Sequence, residues 1–246
     1  MVTTVAFEVV SNEEIAPKVN HIRLKRADDS KFNFIPGQFI TIHFEKDGRL
    51  LRRSYSIASI PTIDETIDFA ASYVENGAAS QYLFALQPGD VIQASGPFGR
   101  LILSEEALPR LFLLATGTGI TPYRAMLPLL SERLRHQADF QVYIMQGVQY
   151  RKDALYANDF LHWAAKFPKQ IHYRTYLSRE DLSENRASYE YSGYVQSSFD
   201  ELTLVPEMEV VYLCGNPNMI DQAFVKLQNL GLTTRQIRRE KYISSK

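Results

Sequence analysis

The feature that most restricts the fold of this chain is a change of hydrophobic rhythm near residue 105. Before it, short segments alternate apolar and polar residues between turn signals. They are Val5–Val10, Val19–Leu24, Gln38–Phe44 after Pro36-Gly37, Ser54–Ala58, Ile67–Val74, and Val91–Ala94 after Pro88-Gly89-Asp90. A period of two is the mark of a half-buried strand, and regular short strands predict an antiparallel barrel or sandwich. One helix, Ala79–Leu86, interrupts them after Gly77. Beyond the change, the buried-type runs Leu111–Ala115, Phe140–Met145, Ile171–Leu177 and Val210–Cys214 alternate with the helical stretches Pro122–Arg135, Ala154–Lys166 and Pro217–Leu230. Strands alternating with helices predict a parallel sheet built from βαβ units. Gly231 suits a helix C-cap, and Pro128 is expected to kink or shorten its helix. The boundary falls between Gly99 and Glu105.

A chain of 246 residues is long enough for two modest domains. Its 45% hydrophobic and 22% charged residues are ordinary globular usage, and a net charge of -1 gives no field for nucleic acid or an anionic membrane. The single cysteine, Cys214, excludes an intramolecular disulfide. It also excludes an internal iron–sulfur cluster, which takes about four protein ligands, so such a centre would sit on another molecule. His21, His43, His136, His162 and His172 show no metal-site spacing. The start, Met1 to Thr4, has no basic segment followed by an apolar run, and runs such as Leu111–Ala115 fall far short of the roughly 20 residues that span a bilayer. A cytoplasmic monomer with no nucleic-acid or membrane partner is the expectation.

Four motifs carry chemistry. In Arg53-Ser54-Tyr55-Ser56, strand alternation puts Arg53 and Tyr55 on one side and Ser54 and Ser56 on the other. That supplies a cation for a phosphate, an aromatic plane and a nearby hydroxyl, as a flavin dinucleotide requires. A strand with an exposed arginine and a packed tyrosine would read the same. Gly77-Ala78-Ala79-Ser80 opens a helix, where small residues and unpaired N–H groups can receive a phosphate or simply form a cap. Thr116-Gly117-Thr118-Gly119-Ile120-Thr121-Pro122 joins a buried strand to a helix through glycines that permit a tight turn beside a dinucleotide. It lacks the third glycine of the Gly-x-Gly-x-x-Gly fingerprint. Cys214-Gly215-Asn216-Pro217 ends the last strong parallel strand, where ligands of open α/β sheets bind. There Cys214 either lines a reaction pocket or is a buried apolar-like thiol.

Taken in order, these motifs resemble those of the ferredoxin–NADP⁺ reductase superfamily, and most of all its bacterial members. Arg53 to Ser56, with Pro36-Gly37-Gln38-Phe39 before it, is similar to the flavin motif; Gly77 to Ser80 to the pyrophosphate motif; Gly96-Pro97-Phe98-Gly99 to the domain junction. Thr116 to Pro122 and Cys214 to Pro217 are similar to the two nicotinamide-side motifs. The resemblance implies a two-domain chain: a six-stranded antiparallel FAD barrel over residues 1–101, and an α/β NAD(P) domain with a five-stranded parallel sheet and a flavin-contacting tail over residues 102–246. It implies that Tyr55 stacks on the isoalloxazine, that Arg53 and Ser80 meet the FAD pyrophosphate beside Gly77, Ala78 and Ala79, and that Tyr73 and Val74 give backbone contacts. NADP(H) would be held by Thr116, Gly117, Thr118, Gly119, Ser178, Arg179, Cys214, Gly215, Asn216 and Pro217. Glu240-Lys241-Tyr242 resembles the family's Glu-x-aromatic ending, with Tyr242 covering the flavin face opposite Tyr55; Ile243 to Lys246 follow it.

Hydride transfer needs the nicotinamide C4 within about 3–3.5 Å of flavin N5. Ser56, Cys214 and Glu240 are the candidate catalytic residues around that point. Ser178-Arg179-Glu180 is similar to a segment whose arginine reads the 2′-phosphate in bacterial relatives. Gln149 and Tyr194 stand where those relatives carry two further arginines, and Arg151, Lys152 and Arg186 are candidates to compensate. NADPH is favoured over NADH. Arg235, Arg238, Arg239, Lys241 and Lys246 form a basic ending that either steers an acidic ferredoxin or flavodoxin or is a solvated tail. A flavin reductase, the reductase component of an oxygenase, and a non-catalytic FAD redox-sensing module remain alternatives.

Overall fold

The computed structural model describes residues 3–61, 65–104 and 108–242. The chain divides into two compact units. One comprises residues up to Leu103 together with Thr121–Met126, the other Ser104–Ile120 together with residues from Leu127 onward.

The first unit holds β1 (Val5–Ala16), β2 (Val19–Arg26), β3 (Phe39–Lys46), β4 (Arg49–Ser56), β5 (Ile67–Ser72), α1 (Ala78–Ala85) and β6 (Val91–Phe98). Its six strands pair in the order β4-β3-β6-β1-β2-β5, antiparallel throughout. An isolated antiparallel bridge between Ile57 and Phe69 joins the two edges, and the Tyr55 and Phe69 rings meet at 4.9 Å. The sheet therefore curls into a barrel, which removes the open edge that a flat sheet would expose. Its interior is filled by Phe7, Ile22, Leu24, Ile40, Ile42 and Phe69, all fully buried.

The largest departures from the expected limits are in β6, which runs on from Ala94 to Phe98, and in β4 and β1. β4 starts at Arg49, not Ser54, because Asp47 and Gly48 take φ values of 53° and 69° and close a two-residue hairpin with Lys46 opposite Arg49. An Asp-Gly pair favours such a turn, so the signal was present. β1 runs on to Ala16 through the polar residues Ser11 to Glu14, with register shifts at Val9/Ser11 and Glu14/Ala16. Asn12 within it donates from Nδ2 to the carbonyls of Leu83 and Leu86, both at 2.9 Å. Those carbonyls lie at the carboxyl end of α1, where that of Leu83 also accepts the Leu86 N–H at 3.3 Å.

The second unit holds β7 (Arg110–Thr116), α2 (Thr121–His136, whose first residues group with the barrel), β8 (Gln141–Val148), α3 (Ala157–Lys166), β9 (Ile171–Leu177), β10 (Glu190–Ser192), β11 (Glu209–Gly215), α4 (Pro217–Asn229) and β12 (Ile237–Lys241). The strands are all parallel, in the order β10-β9-β8-β7-β11-β12. The sheet thus has six strands where five were expected. The four buried runs of the sequence are β7, β8, β9 and β11; β10 has only three residues and β12 reads Ile-Arg-Arg-Glu-Lys, so neither carries a buried-strand pattern. Strand order reverses between β7 and β11, which makes the carboxyl ends of those two strands the switch point at which open α/β sheets bind ligands. α2 continues through Pro128 and is not shortened by it. Pro128 lacks the N–H that the carbonyl of Arg124 would receive, and the Ser131 hydroxyl donates to the Pro128 carbonyl at 2.8 Å. α3 begins at Ala157, not Ala154, because Tyr156 adopts a left-handed φ of 55°.

One buried charge fastens the barrel. Asp68 on β5 is 1% exposed, with His21 Nε2 at 3.2 Å, the Thr66 hydroxyl donating at 2.8 Å and Arg23 Nε at 3.5 Å. Burial alone would raise its pKa, but the hydrogen bonds from His21 and Thr66 and the nearby His21 and Arg23 charges outweigh it and hold the carboxyl below its usual range. A carboxylate with a depressed folded pKa contributes stability above its unfolded pKa and loses it as pH falls through the folded one. Asp68→Asn is expected to lower the unfolding free energy at pH 7 by about 1–3 kcal/mol. In denaturant titrations the gap to the parent protein should narrow as pH drops below about 4, and a gap constant down to pH ~2 would show that the charge is not its source.

Candidate functional site

The barrel presents its candidate groups on β4 and at the start of α1. Along β4, Leu51, Arg53 and Tyr55 are half-buried while Leu50, Arg52 and Ser54 are exposed, so Arg53 and Tyr55 do share a side. Ser54 and Ser56 do not share an environment. Ser54 is exposed with its hydroxyl 3.0 Å from that of Thr41, whereas Ser56 is buried. Burial raises the Tyr55 pKa to about 12, against the opposing charge of Arg53, so the phenol stays neutral. Arg53 donates from Nη1 to the carbonyl of Arg52 at 2.7 Å.

Tyr73 and Val74, past the end of β5, are exposed, and the Tyr73 ring meets Phe84 edge-on at 5.2 Å. Val74 leads into a tight turn. Its carbonyl accepts from the Gly77 N–H at 2.9 Å and from the Ser80 hydroxyl at 2.7 Å, and that hydroxyl also lies 3.0 Å from the Gly77 carbonyl. A hydroxyl has one proton to give, so Ser80 spends it on the turn. No side chain caps α1. What its start offers a phosphate is therefore the backbone N–H groups of Ala78, Ala79 and Ser80. Gly77 permits the turn, since a Cβ there would lie 2.9 Å from Ser80 Oγ and 3.0 Å from Val74.

The sheet presents its groups at the switch point. β7 ends at Thr116, and a 3₁₀ turn, Gly117–Ile120, leads into α2. β11 ends at Gly215, and Asn216 caps α4 by accepting from Asn218 N–H at 2.8 Å and Met219 N–H at 3.4 Å. The two turns touch backbone to backbone. A Cβ on Gly119 would stand 2.4 Å from the Cys214 carbonyl oxygen, and one on Gly215, at φ 118°, would stand 2.6 Å from both oxygens of Thr116. Asn216 N–H donates to Thr116 Oγ1 at 2.9 Å. Gly117, at φ 52°, has open space where its side chain would be, so the backbone there is unobstructed.

Cys214, Glu240 and Tyr242 gather beside these turns. Cys214 pairs with Glu240 in the β11/β12 register, and Tyr242 N–H donates to the Gly215 carbonyl at 2.8 Å. Full burial, reinforced by the Glu240 charge, raises the Cys214 pKa well above its usual value despite a hydrogen bond with Tyr242. The sulfur is thus a thiol, not a thiolate nucleophile.

Ser178 and Arg179 follow β9 on the same carboxyl edge. Their N–H groups donate to the carbonyls of Val148 and Gln149, both at 3.0 Å, and the Arg179 side chain is exposed. Of the three candidates to compensate for Gln149 and Tyr194, Arg151 is committed to an ion pair, while Lys152 and Arg186 are exposed. Arg151 forms a two-point ion pair with Glu190, Arg186 Nε donates to the Glu190 carbonyl at 2.7 Å, and Lys152 lies 5.6 Å from the Tyr150 ring. Glu190 was not singled out from the sequence; a lone acid amid polar residues gives no sign that it is buried. The basic ending is likewise partly used. Arg239 lies over the Phe224 ring at 3.9 Å and Lys241 pairs with Asp221 at 2.6 Å, while Arg235 is exposed and Lys246 lies outside the described residues.

These residues fit the two groups expected from the sequence: an uncapped helix start and an arginine–tyrosine strand for FAD, and glycine turns at a sheet switch point for a nicotinamide nucleotide. Comparison with known proteins agrees. Residues 6–102 match the oxidoreductase FAD-binding domain and residues 113–224 the oxidoreductase NAD-binding domain. The chain is 32% identical to ferredoxin–NADP reductase B of Sorangium cellulosum, over 95% of this chain and 96% of that one. It is 30% identical to ferredoxin–NADP reductase of Azotobacter vinelandii, over 85% and 83%. It is also 27% identical to the toluate 1,2-dioxygenase electron transfer component of Pseudomonas putida, where it covers 91% of itself but 63% of that protein. In fold it is similar to a ferredoxin NADP⁺ reductase from Neisseria gonorrhoeae, with a TM-score of 0.80 at 21% identity over 98% of this chain and 99% of that one. On this evidence the chain belongs to the ferredoxin–NADP⁺ reductase family of FAD- and NAD(P)-binding oxidoreductases.

Proposed function

We propose that the protein exchanges hydride with NADP(H) and single electrons with a carrier such as ferredoxin or flavodoxin. The observation that carries this reading is the pair of turns after β7 and β11, where Gly119 and Gly215 let two backbones meet beside a neutral thiol. Bound FAD would supply the redox chemistry, accepting two electrons together and releasing them singly. The chain's own residues bind and orient. In the barrel, Arg53 answers the pyrophosphate charge, the α1 amides receive its oxygens, and Tyr55 offers a neutral aromatic face. In the sheet unit, the Gly117–Ile120 and Asn216 turns hold the nucleotide, Cys214 fills space without charge, and Glu240 handles a proton. Ser56, buried at the end of β4, is the hydroxyl assigned to flavin N5. Tyr242 is the second aromatic side chain assigned to the flavin, and it would have to move aside for the nicotinamide.

Arg179 is the cation assigned to the 2′-phosphate, a group that calls for arginine or lysine. A carrier outside these 246 residues is supported by the single cysteine, which cannot build a four-thiolate cluster. The likeness to a dioxygenase electron transfer component supports a second reading, a reductase that serves an oxygenase. Turnover compared across ferredoxin, flavodoxin and free FMN separates the two.

An absorbance spectrum of the purified protein, followed by anaerobic titration, tests the first reading. Flavin bands that bleach rapidly with NADPH are expected, and a protein that neither carries nor takes up FAD would end it. Ser56→Ala should keep FAD bound and slow hydride transfer by about 10- to 100-fold. A parental single-turnover rate would remove Ser56 from the mechanism. Arg179→Ala should lower the preference for NADPH over NADH by about 10-fold or more; an unchanged ratio of kcat/KM values would reassign the 2′-phosphate contact.

A further inference from the structure

Arg151 lies just past β8, and its hydrogen bonds run to the segment between β9 and β10. Nε donates to Glu190 Oε1 at 2.5 Å and Nη2 to Glu190 Oε2 at 2.8 Å. Nη2 also donates to the Asn185 carbonyl at 3.2 Å, and the Arg151 N–H donates to the Glu180 carboxylate at 3.0 Å. Nη1 lies 3.9 Å from the other Glu180 oxygen. Glu190 is 1% exposed and accepts further from the Ala187 N–H at 3.0 Å. Residues 178–189 carry no helix or strand, yet Arg151 holds them through its main-chain N–H at Glu180 and its guanidinium at Asn185, and the same guanidinium grips Glu190 where the segment ends.

A forked arginine–carboxylate pair is directional as well as strong, and a carboxylate this deeply buried is tolerated only with such a partner. The fork that could have gripped a phosphate is turned inward. Ser178 and Arg179 sit at the near end of the same segment, with Arg179 N–H on the Gln149 carbonyl two residues before Arg151.

We propose that Arg151, clamped by Glu190, is a positioning residue for cofactor selection: it pre-orders the segment carrying Arg179 for a ribose 2′-phosphate without touching that phosphate. The proposal rests on the assignment of Arg179 above. A segment already ordered loses less conformational freedom on binding, so the clamp favours the ligand that needs Arg179 in place. NADH, without the phosphate, makes no such demand.

The test measures binding to the flavin-loaded protein by calorimetry, with adenosine 2′,5′-bisphosphate and adenosine 5′-monophosphate as probes. They differ only in the 2′-phosphate. Arg151→Gln and Glu190→Gln should each weaken the bisphosphate by about tenfold while the monophosphate stays within about twofold. The double variant should be no weaker than the weaker single one, since both changes open one clamp. Should Arg151→Gln not fold, Arg151→Lys, which keeps the charge and loses the fork, takes its place with the same expected loss. Equal weakening of both probes, no weakening, or tighter bisphosphate binding by Glu190→Gln through a freed Arg151 would each overturn the proposal. Arg179→Ala separates the two levels. If it leaves bisphosphate binding unchanged, the assignment of Arg179 fails; if it weakens binding and the clamp variants do not, only the clamp fails.

Discussion

The nucleotide half of this protein depends on one steric condition: two strand-to-helix turns approach until no side chain fits between them. Gly119 faces the Cys214 carbonyl and Gly215 faces both oxygens of Thr116, each at a distance no Cβ could occupy. Because β7 and β11 are neighbours in the sheet, the approach fixes the start of α4 relative to the end of β7. The strand order reverses at this edge, where open α/β sheets bind ligands, and the glycines leave backbone there without side chains. Thr116, Gly119, Cys214 and Gly215 therefore pack as one unit, and the proposed nucleotide contact would use the same atoms.

Buried charge has a different place in each unit. In the barrel, Asp68 is held ionised by groups on β2 and beside β5, tying strands together. At the amino end of the sheet, Glu209 is fully buried with Arg110 Nη1 at 2.7 Å, and burial still raises its pKa. At the carboxyl end, Arg151 and Glu190 secure a long connection. All three are acid–base pairs whose separate members would be costly to bury, and each joins segments distant in the chain.

Much of this architecture was legible because the change of rhythm near residue 105 reports a physical difference: one-sided burial gives alternation, two-sided burial gives continuous apolar runs. β7, β8, β9 and β11 show it plainly. β10 and β12 do not, because edge strands need little burial and β12 is four-fifths charged. The Asp47-Gly48 hairpin is readable from local turn chemistry, since an Asp-Gly pair favours positive φ at both positions. Pro128 does not end α2, which runs on to His136. At the candidate site, the glycine turns could be placed from sequence because conformational freedom belongs to a residue type. The engagement of Arg151 could not, because it depends on a carboxylate 39 positions away whose burial is set by the packed sheet.

Cys214 is the chain's only sulfhydryl, wholly shielded and kept protonated by its surroundings. Alkylating reagents and oxidants attack the deprotonated, accessible form, so the native fold screens this sulfur from both. Modification must wait for the groups that cover Cys214 to move, and the rate at which a maleimide marks this protein becomes a clock for that local opening.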